Sequence, residues 1–564
     1  MKGYHVGRFK LGKRVLLANF GVMVVLIIAV ALVWGQNAGQ SGSDSEWIEN
    51  LRKMQEEQQV ETRKKEEIHE EQLFDVNSFE REQAVLAKIR RLGLDKKNEQ
   101  GSIVTSGKLG MNLSAVSFWG TAWAWADILT TAKWTDDRGW RKGEMFVDTK
   151  GRFPAGEYVC TWEGMAEIRF GGDGTIVSYE PGRIVVNVVP RKGLTIWVRS
   201  QPNDGLKNLK LWMPGTEKQT SPFFPLFVER LKPFGTIRFM DWQLINNSEL
   251  TSWQNRPTLE NQNQEGRGVA LENMLALVNE LGSDAWFCMP AKADDDFVRQ
   301  FALMVKERLH PDGKVYVEYS NEIWNGVFKQ HTYVMNKAKN KAAKEGIKWD
   351  WLDEWAWEMK RIFSIWEDVF KDEPGRFIRV IASQEMNPWI SEQLCTKIGK
   401  GNFDALATTA YFGNSHERGP IPKVSEAEIL PRAKAMIRAG VMYLNEKRGP
   451  ARVKHGQVAK EYSVAYLTYE GGQHFTPGGN TATSVVGMAQ QLPEMYEAYL
   501  LNMKLLSQAG GQLFSAYYFC GPVTNFGAWG HISYQNEPLL DAPKYRAMLD
   551  FYDVKYPEPV LSMP

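Results

Sequence analysis

From Leu109 onward the chain alternates short apolar runs with longer amphipathic segments. Leu113–Phe118, Thr236–Met240, Ala285–Met289, Lys314–Tyr319, Phe377–Ile381, Ala405–Ala410, Ala465–Tyr469 and Leu513–Tyr518 are short and apolar, as buried strands are. Segments of helical period, such as Phe297–Leu309 and Leu352–Phe370, lie between most of them. Strands alternating with helices predict a parallel sheet covered by helices. Eight of them predict an α/β protein built on a closed (β/α)₈ TIM barrel, here from residues 106–130 and 220–564.

One interval breaks the alternation. From about Thr131 to Met213 the pattern is all-β, with Glu157–Thr161, Glu167–Phe170, Thr175–Tyr179, Ile184–Val189 and Leu194–Arg199 separated by Gly, Pro and Asp turns. The expectation is a small all-β domain over residues 131–219, inserted in the first βα loop at the active-site end of the barrel. A carbohydrate-binding accessory and a structural cap over the barrel rim both fit it.

The N-terminus carries a third pattern. Lys2, Arg8, Lys10, Lys13 and Arg14 precede an uncharged apolar run, Val15 to Trp34. About 20 such residues can cross a bilayer as a helix, and the basic flank, residues 1–14, places the N-terminus in the cytoplasm. A retained transmembrane signal-anchor over 15–34 would put the large domain outside, in the periplasm or beyond the cell. The alternative is secretion after signal cleavage, although signal peptides have shorter apolar regions, about 7–15 residues, and Gln36-Asn37-Ala38 makes a poor cleavage site. Residues 35–105 open with a Gly/Ser linker. They continue as a Glu-, Lys-, Arg- and Gln-rich segment read as a charged helical spacer. Trp47, Leu51 and Met54 begin a heptad spacing that Gln58, Glu61 and Lys65 do not continue, so no sustained coiled coil is expected.

Composition changes this picture little. With 43% hydrophobic and 24% charged residues the chain is ordinary for a globular protein, and a net charge of +1 gives no reason to expect nucleic acid as a partner. The 21 tryptophans suit either sugar faces or a large core. Four scattered cysteines form no CxxC pair, which leaves no zinc or redox motif; a Cys288–Cys520 disulfide stays open. Asp294-Asp295-Asp296 reads as a helix cap rather than a metal site. No metal and no cofactor are expected.

The candidate chemistry lies at strand ends, where barrels place their catalytic groups. Val315-Tyr-Val-Glu-Tyr-Ser-Asn-Glu-Ile-Trp-Asn325 is a buried strand ending in Asn321-Glu322, followed by Trp324. Ala465-Tyr-Leu-Thr-Tyr-Glu470 ends in the same way and runs into Gly471-Gly472. Two carboxylates on separate strands facing one cleft are the minimal apparatus of glycoside hydrolysis.

This pattern resembles the retaining glycoside hydrolases of clan A, across about Leu109–Trp529 apart from the insertion. The resemblance implies Glu322, closing the fourth strand behind Asn321, as acid/base, and Glu470, closing the seventh, as nucleophile. It implies Arg238 beneath the nucleophile, holding its charged form, and Tyr411 hydrogen-bonded to it. Trp529, beyond the eighth strand, would be a sugar platform, and Glu318 the partner of a buried cation. Arg238 could instead simply balance Glu318, and Tyr411 and Trp529 could be packing residues. Asp241-Trp242 and Trp119, at other strand ends, and His474 are further candidates for substrate contact, with His531 a plausible cleft residue. The expected activity is hydrolysis, or transglycosylation, of a β-linked polysaccharide or oligosaccharide. The rival readings are a carbohydrate-binding barrel without turnover and an anchored scaffold for polysaccharide secretion or wall attachment.

Overall fold

The computed structural model describes residues 108–557 except 202, 262 and 414–418. The basic tail, the apolar run and the charged spacer expected over 1–105 therefore lie outside the described residues. Among the described residues, no helix is long and apolar enough to cross a membrane.

Strand β1 (Lys108–Asn112) is followed by eight antiparallel strands. These are β2 (Lys133–Asp137), β3 (Trp140–Met145), β4 (Gly156–Glu163), β5 (Glu167–Gly172), β6 (Gly174–Glu180), β7 (Arg183–Val188), β8 (Leu194–Arg199) and β9 (Lys207–Trp212). Seven parallel strands follow: β10 (Thr236–Arg238), β11 (Asp284–Met289), β12 (Val315–Tyr319), β13 (Phe377–Ala382), β14 (Ala405–Phe412), β15 (Ala465–Gln473) and β16 (Gly511–Ala516). β1 pairs with both β10 and β16, so β1 and β10–β16 close into an eight-stranded parallel barrel in chain order. Every residue of β11, β12 and β14 is buried, as expected of strands covered by helices outside and packed against one another inside.

The covering helices follow from their sequences. Asp294 caps the helix Asp295–Arg308 by accepting from Phe297 N at 2.7 Å, so the acidic run is a helix start. Phe297, Val298, Phe301, Ala302 and Val305 form that helix's buried stripe. Asp350 and Asp353 form a reciprocal capping box on the helix Trp351–Val369.

The first strand lies earlier than its apolar text suggested. β1 ends at Asn112, and Leu113–Phe118 is irregular. Between β1 and β10 the antiparallel strands form two four-stranded sheets, ordered β2-β3-β8-β5 and β6-β7-β4-β9. β2, β3 and β9 escaped the sequence reading because charged residues such as Lys133, Asp136, Arg141 and Lys207 face solvent and mask the alternation. Tyr158, Ile184, Val186, Ile196 and Leu211, from these sheets, belong to the same contiguous apolar core as the barrel. All four cysteines are buried and free, so Cys288 and Cys520 are not bonded to each other.

Candidate active site

Arg238 organises the barrel interior. It is fully buried on β10, and an unpaired guanidinium there would carry a large desolvation penalty. Its N–H groups make five hydrogen bonds, which uses its full donor capacity. Nε and Nη2 donate to Glu318 Oε2 at 3.1 and 2.9 Å. Nη2 also reaches Asn321 Oδ1 at 2.9 Å, while Nη1 reaches Asn112 Oδ1 at 3.0 Å and Glu470 Oε1 at 2.9 Å. The rings of Tyr469 and Trp286 stand 5.1 and 5.8 Å from the guanidinium carbon. Arg238 therefore balances Glu318 and also reaches Glu470. One cation faces two carboxyl groups, and burial pushes the Glu318 carboxyl above its ordinary range.

Glu470 lies within β15, which runs on to Gln473, and not at a strand end. Its orientation comes from an irregularity: Thr408 pairs with Thr468 but Thr409 pairs with Glu470, so Tyr469 is an extra residue. In a regular strand neighbouring side chains point to opposite faces. The bulge lets Tyr469 and Glu470 both turn toward the cleft. Tyr411, on β14, donates from its hydroxyl to Glu470 Oε2 at 2.9 Å, and its carbonyl accepts from Arg452 at 2.9 Å.

Glu322 reaches the cleft by a different route. β12 stops at Tyr319, and Ser320 and Glu322 adopt left-handed conformations with φ of 57° and 43°. Strand alternation from Glu318 therefore does not orient Glu322; the turn does. Left-handed non-glycine residues cost on the order of 1–3 kcal/mol and collect at functional sites. Asn325 Nδ2 donates to Glu322 Oε2 at 2.8 Å, and Tyr469 Oη lies 3.4 Å from Oε1. Burial, then the negative charge of Glu470, push the Glu322 carboxyl up to about 8. Asn321 is buried beside it, donating to Asn246 Oδ1 at 3.1 Å while its carbonyl accepts from Gln330 at 2.9 Å.

Most of the remaining candidates surround this pair. Asp241, just past β10, accepts from Tyr517 Oη at 3.1 Å. Burial, then Glu470, push its carboxyl up to about 7. His474 packs edge-on against Tyr411 at 5.0 Å, and Trp529 against His474 at 5.8 Å. Trp324 is half-buried, packed against the core. One expectation of position is corrected. Trp119 is 48% exposed, and because β1 ends at Asn112 it lies well beyond that strand rather than at its end. Trp242 is packing, stacked between Trp125 at 5.7 Å and Phe227 at 6.1 Å. His531 is buried, with Nδ1 3.0 Å from the carbonyl of Tyr518.

Asn112, Tyr469 and Tyr517 were missed by the sequence reading. A polar residue inside the apolar run Leu109–Leu113 was the available signal for Asn112. Among the described residues, no group of His, Cys, Asp and Glu is placed to hold a metal ion.

The Arg238 network makes a stability prediction. Arg238→Met removes the only cation hydrogen-bonded to Glu318 and Glu470 among the described residues. Breaking a buried pair by deleting one partner costs about 3–5 kcal/mol, so urea unfolding should show a loss of that size. A loss below about 1 kcal/mol would mean that the network is not a structural keystone.

No family model matches the chain, and no curated protein matches it. Solved structures do. A GH51 arabinofuranosidase from Xanthomonas axonopodis pv. citri is 14% identical, with a TM-score of 0.39 over 59% of this chain and 66% of that one. A modular endo-beta-1,4-mannanase of glycoside hydrolase family 26 from Cellulomonas fimi is 9% identical, with a TM-score of 0.34 over 58% and 66%. A Bacteroidetes-affiliated GH5 cellulase is 9% identical, with a TM-score of 0.32 over 60% and 86%. The chain thus spans just under two thirds of the first two structures.

Proposed function

We propose that the protein is a retaining glycoside hydrolase that cleaves a β-linked polysaccharide or oligosaccharide by double displacement. The observation that supports this is the contrast between its two cleft carboxyl groups. Glu470 accepts hydrogen bonds from a guanidinium and a phenol, which hold its carboxyl group in place. Glu322 is kept protonated by burial and by the charge of Glu470. Retaining hydrolysis needs two carboxyl groups, one of them a proton donor and the other fixed as nucleophile.

In the first step a Glu470 oxygen attacks the anomeric carbon and forms a glycosyl ester. Glu322 gives its proton to the departing glycosidic oxygen as that bond breaks. In the second step Glu322 takes a proton from water, which attacks the same carbon and releases Glu470. A sugar hydroxyl in place of water gives transglycosylation. No cofactor enters either step.

A panel of aryl glycosides and insoluble β-glycans tests the reading. Turnover with retained anomeric configuration, followed by NMR, is expected. An inverted product sinks the mechanism, and binding without turnover favours a carbohydrate-binding barrel.

Anchoring belongs to the same proposal, with Val15–Trp34 in the membrane and the barrel exported. The product in the membrane fraction is expected to keep its first residues on N-terminal sequencing. A start near Gly39 would make it a soluble secreted enzyme.

A further inference from the structure

A cavity of about 670 Å³ lies where β3 and β9 of the antiparallel sheets meet the connection after β10. That volume falls within the range of about 300–1,000 Å³ usual for ligand pockets. Neither Glu322 nor any member of the Arg238 network lines it. Part of its lining is cationic: Arg141 on β3, with Lys207 and Lys210 on β9. Among the described residues none of these three forms an ion pair. Arg141 lies over the Trp134 ring at 4.5 Å and Lys210 over the Trp212 ring at 4.7 Å. Two carboxyl groups, Asp127 and Glu260, share the lining. Asp127 is engaged by the backbone, its Oδ1 accepting from Leu211 N at 2.9 Å and Leu129 N at 3.1 Å, and Glu260 is exposed.

Other elements bring neutral polar groups. Thr130 comes from the short helical turn Ile128–Thr131 and Asn273 from the helix Leu271–Leu281. Among the described residues neither side chain makes a hydrogen bond. The loop that joins these groups is braced by Gln264. Its Nε2 donates to the carbonyl of Asn261 at 2.8 Å, its Oε1 accepts from Ala270 N at 2.6 Å, and its backbone N–H donates to the carbonyl of Thr130 at 2.9 Å. The cavity is therefore held open by its own backbone contacts, with three cations and two neutral hydrogen-bonding side chains left over.

We propose that this cavity binds a segment of an acidic glycan, with sugar carboxylates on Arg141, Lys207 and Lys210 and ring hydroxyls on Thr130 and Asn273. Guanidinium and ammonium groups form their strongest hydrogen bonds with anionic oxygens. A carboxamide and a hydroxyl each donate and accept, as neighbouring sugar hydroxyls require. The cavity would hold a uronate-bearing chain apart from the cleft. That the cleft then works on the same chain rests on the glycosidase reading; the binding does not.

The test measures binding and turnover separately. Binding is measured by calorimetry on the full chain carrying Glu470→Ala, so that no probe is cleaved. The probes are oligoglucuronates and oligomannuronates of two to six residues, neutral β-1,4-gluco-oligosaccharides of the same lengths, oligoglutamate and inorganic phosphate. At least one uronate series is expected to bind more tightly than the neutral chain of equal length, with affinity falling as salt rises. Adding Arg141→Gln with Lys207→Gln, both exposed positions, should weaken that binding at least about tenfold. Asn273→Asp, which keeps the side chain's shape and adds a negative charge, should weaken it as well. No uronate binding, neutral chains bound as tightly, or binding indifferent to both variants overturns the proposal. Oligoglutamate or phosphate bound as tightly as the uronates overturns the glycan and leaves a general anion site. Turnover by the protein with Glu470 intact is assayed on aryl glycosides and glycans. Uronate binding that needs Arg141 and Lys207, without any turnover, keeps the cavity site and overturns the glycosidase. Turnover without uronate binding keeps the glycosidase and overturns the cavity site.

Discussion

Glu470→Ala is expected to abolish turnover of every substrate the protein accepts, whatever its leaving group. In the proposed mechanism the covalent step is formed by the Glu470 carboxylate alone. The hydroxyl of Tyr411 stands behind the carboxylate as a hydrogen-bond donor, and Asp241 is held by Tyr517 with its carboxyl pushed up to about 7. Enzymes that work through a covalent intermediate lose on the order of 10⁵–10⁶ in kcat when the nucleophile is removed. The fold should survive, because Arg238 keeps Glu318, Asn321 and Asn112 as partners and its charge is then matched by one carboxyl group. Initial rates with an activated aryl glycoside, beside a circular-dichroism melt, check both halves. A folded variant retaining about a tenth of wild-type turnover would remove Glu470 from the nucleophile role, since that residue is far above the expected remainder.

The barrel was legible because most of its strand residues are buried, with β11, β12 and β14 buried throughout, and read as short apolar runs; seven of the eight fall where the runs lie. The first was misplaced because Asn112, polar and central, looks like a boundary in the text. In space it is an interior residue whose amide nitrogen donates to the carbonyl oxygens of Tyr469 and Ala516 while its oxygen accepts from Arg238. The catalytic candidates were legible as carboxylates that interrupt apolar strands. What text could not carry was how they are aimed. Glu470 depends on a bulge that shifts pairing by one residue, and Glu322 on left-handed backbone at two positions. Both depend on relations between strands or on φ angles, and neither leaves a periodic mark. Tyr469 and Tyr517 were hidden for the same reason: a tyrosine in an apolar run reads as core until its hydroxyl is seen to lie near a carboxylate.

Glu322→Ala is expected to fail selectively. Acid/base assistance contributes about 10²–10⁴-fold at each step it serves, so substrates with poor leaving groups should lose that much in kcat/KM. Activated aryl glycosides need little protonation and should still form the glycosyl ester, leaving its hydrolysis slow because water has lost its base. Azide needs no base. It should restore turnover of this variant and give a glycosyl azide of retained configuration, since it attacks an ester already formed with one inversion. The wild-type pH profile carries the same signature. Burial and the charge of Glu470 favour the neutral form of Glu322 and raise its pKa to about 8; the acid is intact below that value and lost above it. Wild-type kcat/KM on a poor leaving group should therefore fall as pH rises through about 8, and Glu322→Ala should lack that descent. Anomer analysis by NMR decides between the two carboxyl groups. If azide gave an inverted product with Glu322→Ala and a retained one with Glu470→Ala, the two residues would have to exchange roles.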